Sequence, residues 1–317
     1  MPKRTINISV LMPVYNCSQY VSAAVKSILN QTFKEFEFII IDDGSTDGTE
    51  KIISGIKDKR IIYKKTEHKG ASAAINYGIS IASGNWIARL DSDDLNVTSR
   101  LEKQVNFILS NPDVDILSSW SVYFKDPGKI LFLLKEPIEH GDIYDYLNLH
   151  NPINSSSVIY RKSLIKKAKY NEEFTSNEDF ELFFRLRDEV KFHNIPEFLT
   201  YTRIRSGSKT SAADNSDIFS VINEYALKKL INSVRKRDQF YWATTIAWQN
   251  FFYGNRKQSR RYFKRVPTLK NITALAATYL PGRFFRKLLD SRVKYRISDL
   301  FENKKSFENE LKMLLAE

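Results

Sequence analysis

The sequence predicts an α/β fold, a mostly parallel sheet flanked by helices, followed by a helical C-terminal region. Three observations predict it. Across the first 120 residues, short apolar runs alternate with segments whose apolar residues recur at helical spacing. The links between them are short, and strand–helix–strand order with short links builds parallel sheets covered on both faces. After Ala212 the pattern is helical to the end.

Residues 6–12 (INISVLM) read as a buried strand. Ser18 stands where it can cap a helix with Val21, Ala24, Val25, Ile28 and Leu29 on one face. Residues 36–41 (FEFIII) form the second strand, and Thr46 or Asp47 caps a helix reaching about Lys57. Residues 60–65 are the third strand, and residues 72–82 a small-residue helix with Gly84 as its C-cap. Residues 86–90 (WIARL) are the fourth strand. Thr98 or Ser99 opens a helix that Asn111-Pro112 ends. From 114 to 205 the reading is mixed, with strands at 115–120 and 156–160 and a helix at 178–187. The polar stretch 206–216 (SGSKTSAADNS) marks a boundary, so the expected units are residues 1–210 and 211–317.

Composition excludes several classes. One cysteine, Cys17, rules out a disulfide scaffold. Aromatics at 13% supply apolar surface that a disordered chain lacks. No run of about 18 uncharged apolar residues is present, so no membrane-spanning helix is expected. The N-terminus reads as a first strand and not as a signal peptide, which makes a cytoplasmic location the expectation. The net charge of +12 lies wholly in residues 217–317, which hold 21 Lys and Arg against 9 Asp and Glu. Such asymmetry points to an anionic partner or to a solvated basic surface.

Chemistry is expected where strands end, because open parallel sheets bind ligands beyond the carboxyl ends of their strands. The first strand runs into Pro13-Val14-Tyr15-Asn16, the second into Asp42-Asp43-Gly44-Ser45-Thr46-Asp47, and the fourth into Asp91-Ser92-Asp93-Asp94. Carboxylates crowded there repel one another unless a cation or a set of donors binds. Alternate residues of Asp91-Ser92-Asp93 can converge on one point, and hard oxygen ligands with open positions suit Mg²⁺ or Mn²⁺ bridging a diphosphate. A capping turn before the next helix explains the same residues. His68-Lys69-Gly70 opens a helix and reads either as an anion site beside Lys69 or as an exposed loop. The four histidines are scattered and read as structural or exposed. Glu178-Asp179 in a first helical turn suits the helix dipole, with Asn177 as cap.

Taken in order, MPVYN, DDGSTD, the stretch from Gly70 to Gly84-Asn85-Trp86, LDSDD and the SNEDFE of residues 176–181 resemble the family 2 glycosyltransferases of the GT-A fold. The likeness covers about residues 5–205. The resemblance implies a GT-A catalytic domain over 1–210. It implies inverting, metal-dependent transfer of a sugar (hexosyl or N-acetylhexosaminyl) from a nucleotide diphospho-sugar, with UDP favoured. The acceptor it implies is a hydroxyl of a saccharide, or of a saccharide on a polyprenyl diphosphate, in polysaccharide or glycolipid synthesis. Carried over, Pro13, Val14, Tyr15, Asp42, Asp43, Lys69, Asp91, Ser92 and Arg205 bind donor. Asp93 or Asp94 holds Mn²⁺ or Mg²⁺. Asp179 is the catalytic base, with Glu178 in support. The sequence departs from the family at Arg205, where members often carry a histidine that completes the metal site. A cation cannot ligate a metal but can pair with a diphosphate. Either the metal has fewer protein ligands or Arg205 adds its charge. A second departure is the loop 151–157 (NPINSSS), where relatives often have a histidine.

Two other classes compete. A nucleic-acid-binding module would use the basic tail, but acidic strand ends repel phosphates, so no nucleic-acid partner is expected. A nucleotidyltransferase would need a Gly-rich, Arg-containing loop after the first strand, and none is there. In the tail, Ile272, Leu275, Ala276, Tyr279 and Leu280 share a face, continued by Phe284, Phe285, Leu288 and Leu289 and flanked by Arg283, Arg286 and Lys287. Such a stripe suits an anionic membrane surface, which would place the protein peripherally on the inner face of the cell membrane. Packing on the catalytic domain and a homo-oligomer contact remain alternatives. Phe240, Tyr241, Trp242, Trp248, Phe251 and Phe252 are the expected core of the helical region.

Overall fold

The structure, a computed structural model, describes residues 6–205, 216–252, 255–279 and 300–316. The first half runs β1 (Ile8–Val14), α1 (Val21–Leu29), β2 (Phe36–Asp42), α2 (Thr49–Gly55), β3 (Ile61–Lys65), α3 (Ala71–Ile81) and β4 (Trp86–Arg89). These strands form a parallel sheet in the order β3-β2-β1-β4. The apolar runs are buried on both faces. Val10, Met12, Phe38 and Ile40 pack toward α1, while Leu11, Ile39 and Ile41 pack toward α3. A period of two with both faces apolar is the signature of a sheet sandwiched between helices.

The chain then adds β5 (Leu95–Asn96), α4 (Arg100–Ser110), β6 (Ile116–Lys125), β7 (Lys129–Leu134), α5 (His140–Tyr146), β8 (Ile159–Arg161), α6 (Lys162–Ala168), α7 (Glu178–Leu186) and β9 (Phe192–Arg203). β8 joins antiparallel to β4 and β6, and β9 runs parallel to β6. The order reverses at β1, with β2 on one side and β4 on the other. The crevice beyond the carboxyl ends of β1 and β4 is therefore the switch point where this architecture binds ligands.

Local details differ from expectation at four helix ends. The α1 entry has no side-chain cap; the Ser18 backbone N–H instead donates to Asp47 at 2.9 Å. Neither Thr46 nor Asp47 is the cap of α2, which follows Gly48 at φ 94°; Asp47 accepts from the Thr49 N–H at 3.1 Å from one residue further back. Gly84 is not a C-cap. It lies against β1, where a Cβ would sit 2.6 Å from the Ser9 nitrogen and 2.8 Å from the Asn7 carbonyl oxygen. Asn177 precedes α7 in the left-handed region, at φ 57°, and its side chain does not cap the helix. The short Asn side chain tolerates that conformation.

The C-terminal helices are α8 (Ser216–Asn232), α9 (Lys236–Phe252), α10 (Arg256–Phe263), α11 (Leu269–Ala277) and α12 (Leu300–Ala316). The boundary expected at 210/211 lies outside the described residues. Helices α8 to α11 share one core that includes Trp248, Phe251 and Phe263. Phe240 and Tyr241, expected in that core, are exposed, and the Phe252 side chain lies outside the described residues. The last helix, α12, packs elsewhere. Leu311 and Leu314 sit on Phe124, Ile130 and Leu133 of the catalytic sheet, and the Tyr201 hydroxyl donates to Glu310 at 2.6 Å. Of the expected stripe on and just after α11, Ile272, Ala276 and Tyr279 are exposed, while Leu275 packs against the helical core and Asn271, Ala274 and Thr278 are buried. The rest of the stripe, from Leu280 to Leu289 with Arg283, Arg286 and Lys287, lies outside the described residues. Among the described residues no helix is long and apolar enough to cross a membrane.

Candidate active site

The carboxyl ends of β1, β2 and β4, the loop 151–157 and the start of α7 surround a cleft of about 710 Å³. Of the expected site residues, Pro13, Val14, Tyr15, Asp43, Asp91, Ser92, Asp93, Asp94, Glu178, Asp179 and Arg205 line it. Asp42 and Lys69 do not.

The two acids ending β2 have separate jobs. Asp42 is fully buried; it accepts from the Ser45 N–H at 2.7 Å and from the Tyr63 hydroxyl at 2.6 Å. One oxygen is used inside the turn and the other by β3, and the Asp42 side chain does not line the cleft. Gly44 completes that turn at φ 77°, a conformation that favours glycine. Asp43 turns the other way and ties down the loop that enters α3. It accepts from the Lys69 N–H at 2.8 Å, the Gly70 N–H at 2.9 Å and His68 Nδ1 at 2.8 Å. These bonds hold the backbone N–H groups of Lys69 and Gly70, just ahead of the first helical residue, Ala71. The Lys69 ammonium points out of the cleft, 3.8 Å from Glu67. His68 stacks on Tyr15 with ring centroids 4.1 Å apart, which fixes the Tyr15 ring at the cleft mouth.

The acids after β4 are likewise differentiated. Asp91 accepts from Arg89 at 2.7 Å, and the Arg89 side chain is only 2% exposed, so this cation is built into the sheet floor. Asp93 faces the cleft and pairs with Arg205 Nε at 2.7 Å. Asp94 turns inward. Its oxygens accept from the Ser156 hydroxyl at 2.5 Å and the Arg203 N–H at 2.8 Å. Burial, then Asp93 and Asp91, push its carboxyl well above the ordinary carboxylate range. With both oxygens engaged, Asp94 ties the acidic loop to β9 and is not poised to ligate a metal. Arg203 reinforces the tie by donating to the Asp93 carbonyl at 2.8 Å. Cys17 donates to the Ser92 carbonyl at 3.4 Å, and burial pushes its thiol up to about 11, so it is protonated at neutral pH.

Asp179 is the second residue of α7. Its Oδ2 accepts from Asn151 Nδ2 at 3.0 Å and from the Ser155 hydroxyl, and its Oδ1 from the Phe180 N–H at 2.8 Å. Burial pushes its carboxyl above the ordinary range; the Ser155 hydroxyl and the Arg89 charge oppose that, and Asp91 adds to it. A half-buried carboxylate of raised basicity, oriented by two side chains, can take a proton from a hydroxyl in the cleft. Glu178 lines the cleft beside it.

Arg89 escaped the sequence reading, and so did the particular roles of His68, Asn151 and Ser155. Arg89 was hidden inside an apolar strand, and a charge there is itself a signal, since a buried cation needs a partner. The Asn and Ser run of loop 151–157 read equally as acceptor contacts or as a plain connection, and it supplies both side-chain donors to Asp179. His68 was taken as structural or exposed; it is half-exposed and orients Tyr15.

The geometry agrees with comparison to known proteins. The family model described as "Glycosyl transferase family 2" matches residues 9–168. An uncharacterized glycosyltransferase of Methanocaldococcus jannaschii is 33% identical over 254 residues, covering 78% of this chain and 85% of the relative. The Escherichia coli enzyme WfaP is 34% identical over 206 residues, 63% of this chain and 78% of its own. It is described as a UDP-Glc:alpha-D-GlcNAc-diphosphoundecaprenol beta-1,3-glucosyltransferase. Among solved structures, S. aureus TarS in complex with UDP-GlcNAc superposes with a TM-score of 0.59 at 21% identity, over 98% of this chain and 90% of that one. The mannosyltransferase PcManGT from Pyrobaculum calidifontis, in complex with GDP-Man and Mn²⁺, gives 0.56 at 13% identity, over 99% and 87%. The last two share the fold, and the first two with the family model settle membership: this chain is a glycosyltransferase of family 2, built on the GT-A fold.

Proposed function

We propose that this glycosyltransferase moves a sugar, with inversion, from a UDP-sugar to a hydroxyl of a lipid-linked saccharide during surface-polysaccharide assembly. The observation that carries the reading is the convergence of Asp93 and Asp179 on one cleft at the switch point of the sheet. The lipid-linked acceptor is supported by the relative WfaP, whose name specifies a diphosphoundecaprenol-linked acceptor. A UDP donor is supported by the same name and by the fold shared with TarS.

Each residue has a physical task in this reading. Tyr15, with the backbone of Pro13 and Val14, offers a ring and polar edge to the base. Asp43 holds the α3 entry and the Tyr15–His68 pair in place. Asp179 takes the acceptor proton as its oxygen attacks the anomeric carbon opposite the leaving diphosphate. Asn151 and Ser155 keep that carboxylate aimed, and Glu178 supports it. Arg89 compensates the acids of the floor, and Arg205 carries charge toward the diphosphate.

The donor set suits a divalent cation in a limited way. Among the described residues no group of three or more His, Cys, Asp or Glu could hold a metal alone. Asp93 is a cleft-facing hard oxygen ligand, and Mg²⁺ is commonly held by one or two carboxylates plus substrate phosphates. Asp93, with Asp91 through water, would hold Mn²⁺ or Mg²⁺. When bound, the ion would neutralise charge growing on the diphosphate. The test is release of nucleoside diphosphate from a panel of nucleotide sugars, with Mn²⁺ or Mg²⁺ and with EDTA. We expect one donor to turn over slowly, only with metal, and Asp93→Ala to lose that turnover. Turnover equal in EDTA would remove the metal from the reading.

We further propose two units, a catalytic unit ending near residue 210 and a basic helical unit after it, with α12 returning to the catalytic sheet. The outward apolar stripe of α11, with Lys264, Arg265 and Lys270 nearby in sequence, is proposed to rest on anionic lipid. Sedimentation with phosphatidylglycerol vesicles should show salt-sensitive binding, weakened several-fold in Ile272→Asp. Salt-insensitive self-association lost in the same variant would make the stripe a contact between copies.

A further inference from the structure

Two of the three acidic-loop carboxylates that line the cleft, Asp91 and Asp93, are each paired with an arginine, and the two pairs differ in kind. Arg89 is 2% exposed at its side chain and is held in the sheet floor near the Tyr170 ring, 5.6 Å from its centroid. Arg205 is 31% exposed, follows the end of β9, and lies 5.4 Å from the Tyr20 ring. Its Nε occupies Asp93 Oδ2 at 2.7 Å. That carboxylate is the one whose placement suits a metal, since Asp94 is consumed by Ser156 and Arg203.

We propose that the Asp93–Arg205 ion pair is an exchangeable latch that makes metal and nucleotide bind together. This rests on the metal reading above. Arg205 and a divalent cation are rivals for the Asp93 carboxylate. Without nucleotide, Arg205 shields Asp93 and keeps metal affinity low. When a nucleoside diphosphate arrives with the ion, Asp93 is given up to the metal. Arg205 keeps its charge and gains a diphosphate oxygen, an acceptor that its planar guanidinium fits well. Each ligand therefore favours the other, as reciprocal coupling requires.

The test is Mn²⁺ titration by electron paramagnetic resonance, with and without UDP, on the full chain, on Arg205→Gln and on Asp93→Asn. Circular dichroism checks that each variant is folded. In the wild type, UDP should tighten Mn²⁺ binding. In Arg205→Gln, Mn²⁺ alone should bind about fivefold tighter than in the wild type, the scale of losing one partly exposed ion pair. UDP in EDTA should bind several-fold weaker, and the mutual enhancement should shrink. Arg205→Lys, which keeps the charge, should stay near the wild type. If Arg205→Gln binds Mn²⁺ alone no tighter while Asp93→Asn loses Mn²⁺, the latch is wrong and the metal reading stands. If Asp93→Asn binds Mn²⁺ with UDP as the wild type does, the metal reading falls and the latch with it.

Discussion

Asp179→Asn should abolish transfer to acceptor while leaving donor binding intact. Loss of a general base costs about 10²- to 10⁴-fold in rate. The amide keeps an oxygen for the Asn151 and Ser155 donors, so the local fold should survive. Slow donor hydrolysis should persist, because water can replace the acceptor without the base. The pH profile gives an independent reading. The carboxylate is the active form, and burial raises its pKa above the ordinary carboxylate range. Activity should therefore rise with pH through that raised value, and be lost as pH falls through it. The acid limb should vanish in Asp179→Asn. Transfer at wild-type rate in this variant would move the base elsewhere, with Glu178 the next group to test.

Arg89→Met should act on the same limb through space, by its charge. Arg89 is buried, pairs with Asp91 at 2.7 Å and is among the influences that lower the Asp179 carboxyl. Methionine keeps much of the volume and removes the charge. Asp179 then faces Asp91 with no compensating cation, so its pKa rises further and the acid limb moves to higher pH. Breaking a buried pair by removing one partner costs about 3–5 kcal/mol; because the Asp91 side chain is 40% exposed, we expect about 2 kcal/mol here. Thermal denaturation reads the stability, and kcat/KM against pH reads the electrostatics. Arg89→Lys should keep the limb closer to the wild type. A destabilised Arg89→Met with an unmoved limb would reduce Arg89 to a packing role.

Much of the fold was legible in residue order alone. The period-two runs of β1 and β2, apolar on both faces, specify strands covered by helices. The α1 face of Val21, Ala24, Val25 and Ile28 is buried as its spacing implies. The acidic clusters lie at strand ends because the topology puts them there, and the switch point follows from strand order. In its described residues the tail was legible as helices but not as packing: Ile272 and Ala276 of the α11 stripe face outward, and the covered side carries Asn271 and Thr278. Periodicity shows that a helix has an apolar side; it does not show whether a neighbour covers it.

What the sequence by itself determined was the set of groups: which acids, in which loops, beside which strands. Which acid does what was decided by the tertiary structure. Asp42 and Asp43 are adjacent, yet one is spent on Ser45 and Tyr63 while the other holds the loop entering α3 and lines the cleft. Asp93 and Asp94 divide the same way, because Ser156 and Arg203 reach Asp94 from distant parts of the chain. Asp179 takes its aim from Asn151 and Ser155, and its charge balance from Arg89 on another strand. A carboxylate's role is set by the donors and cations within about 3–6 Å of it. Those neighbours are brought together by chain folding over long sequence separations, which no local pattern of residues records.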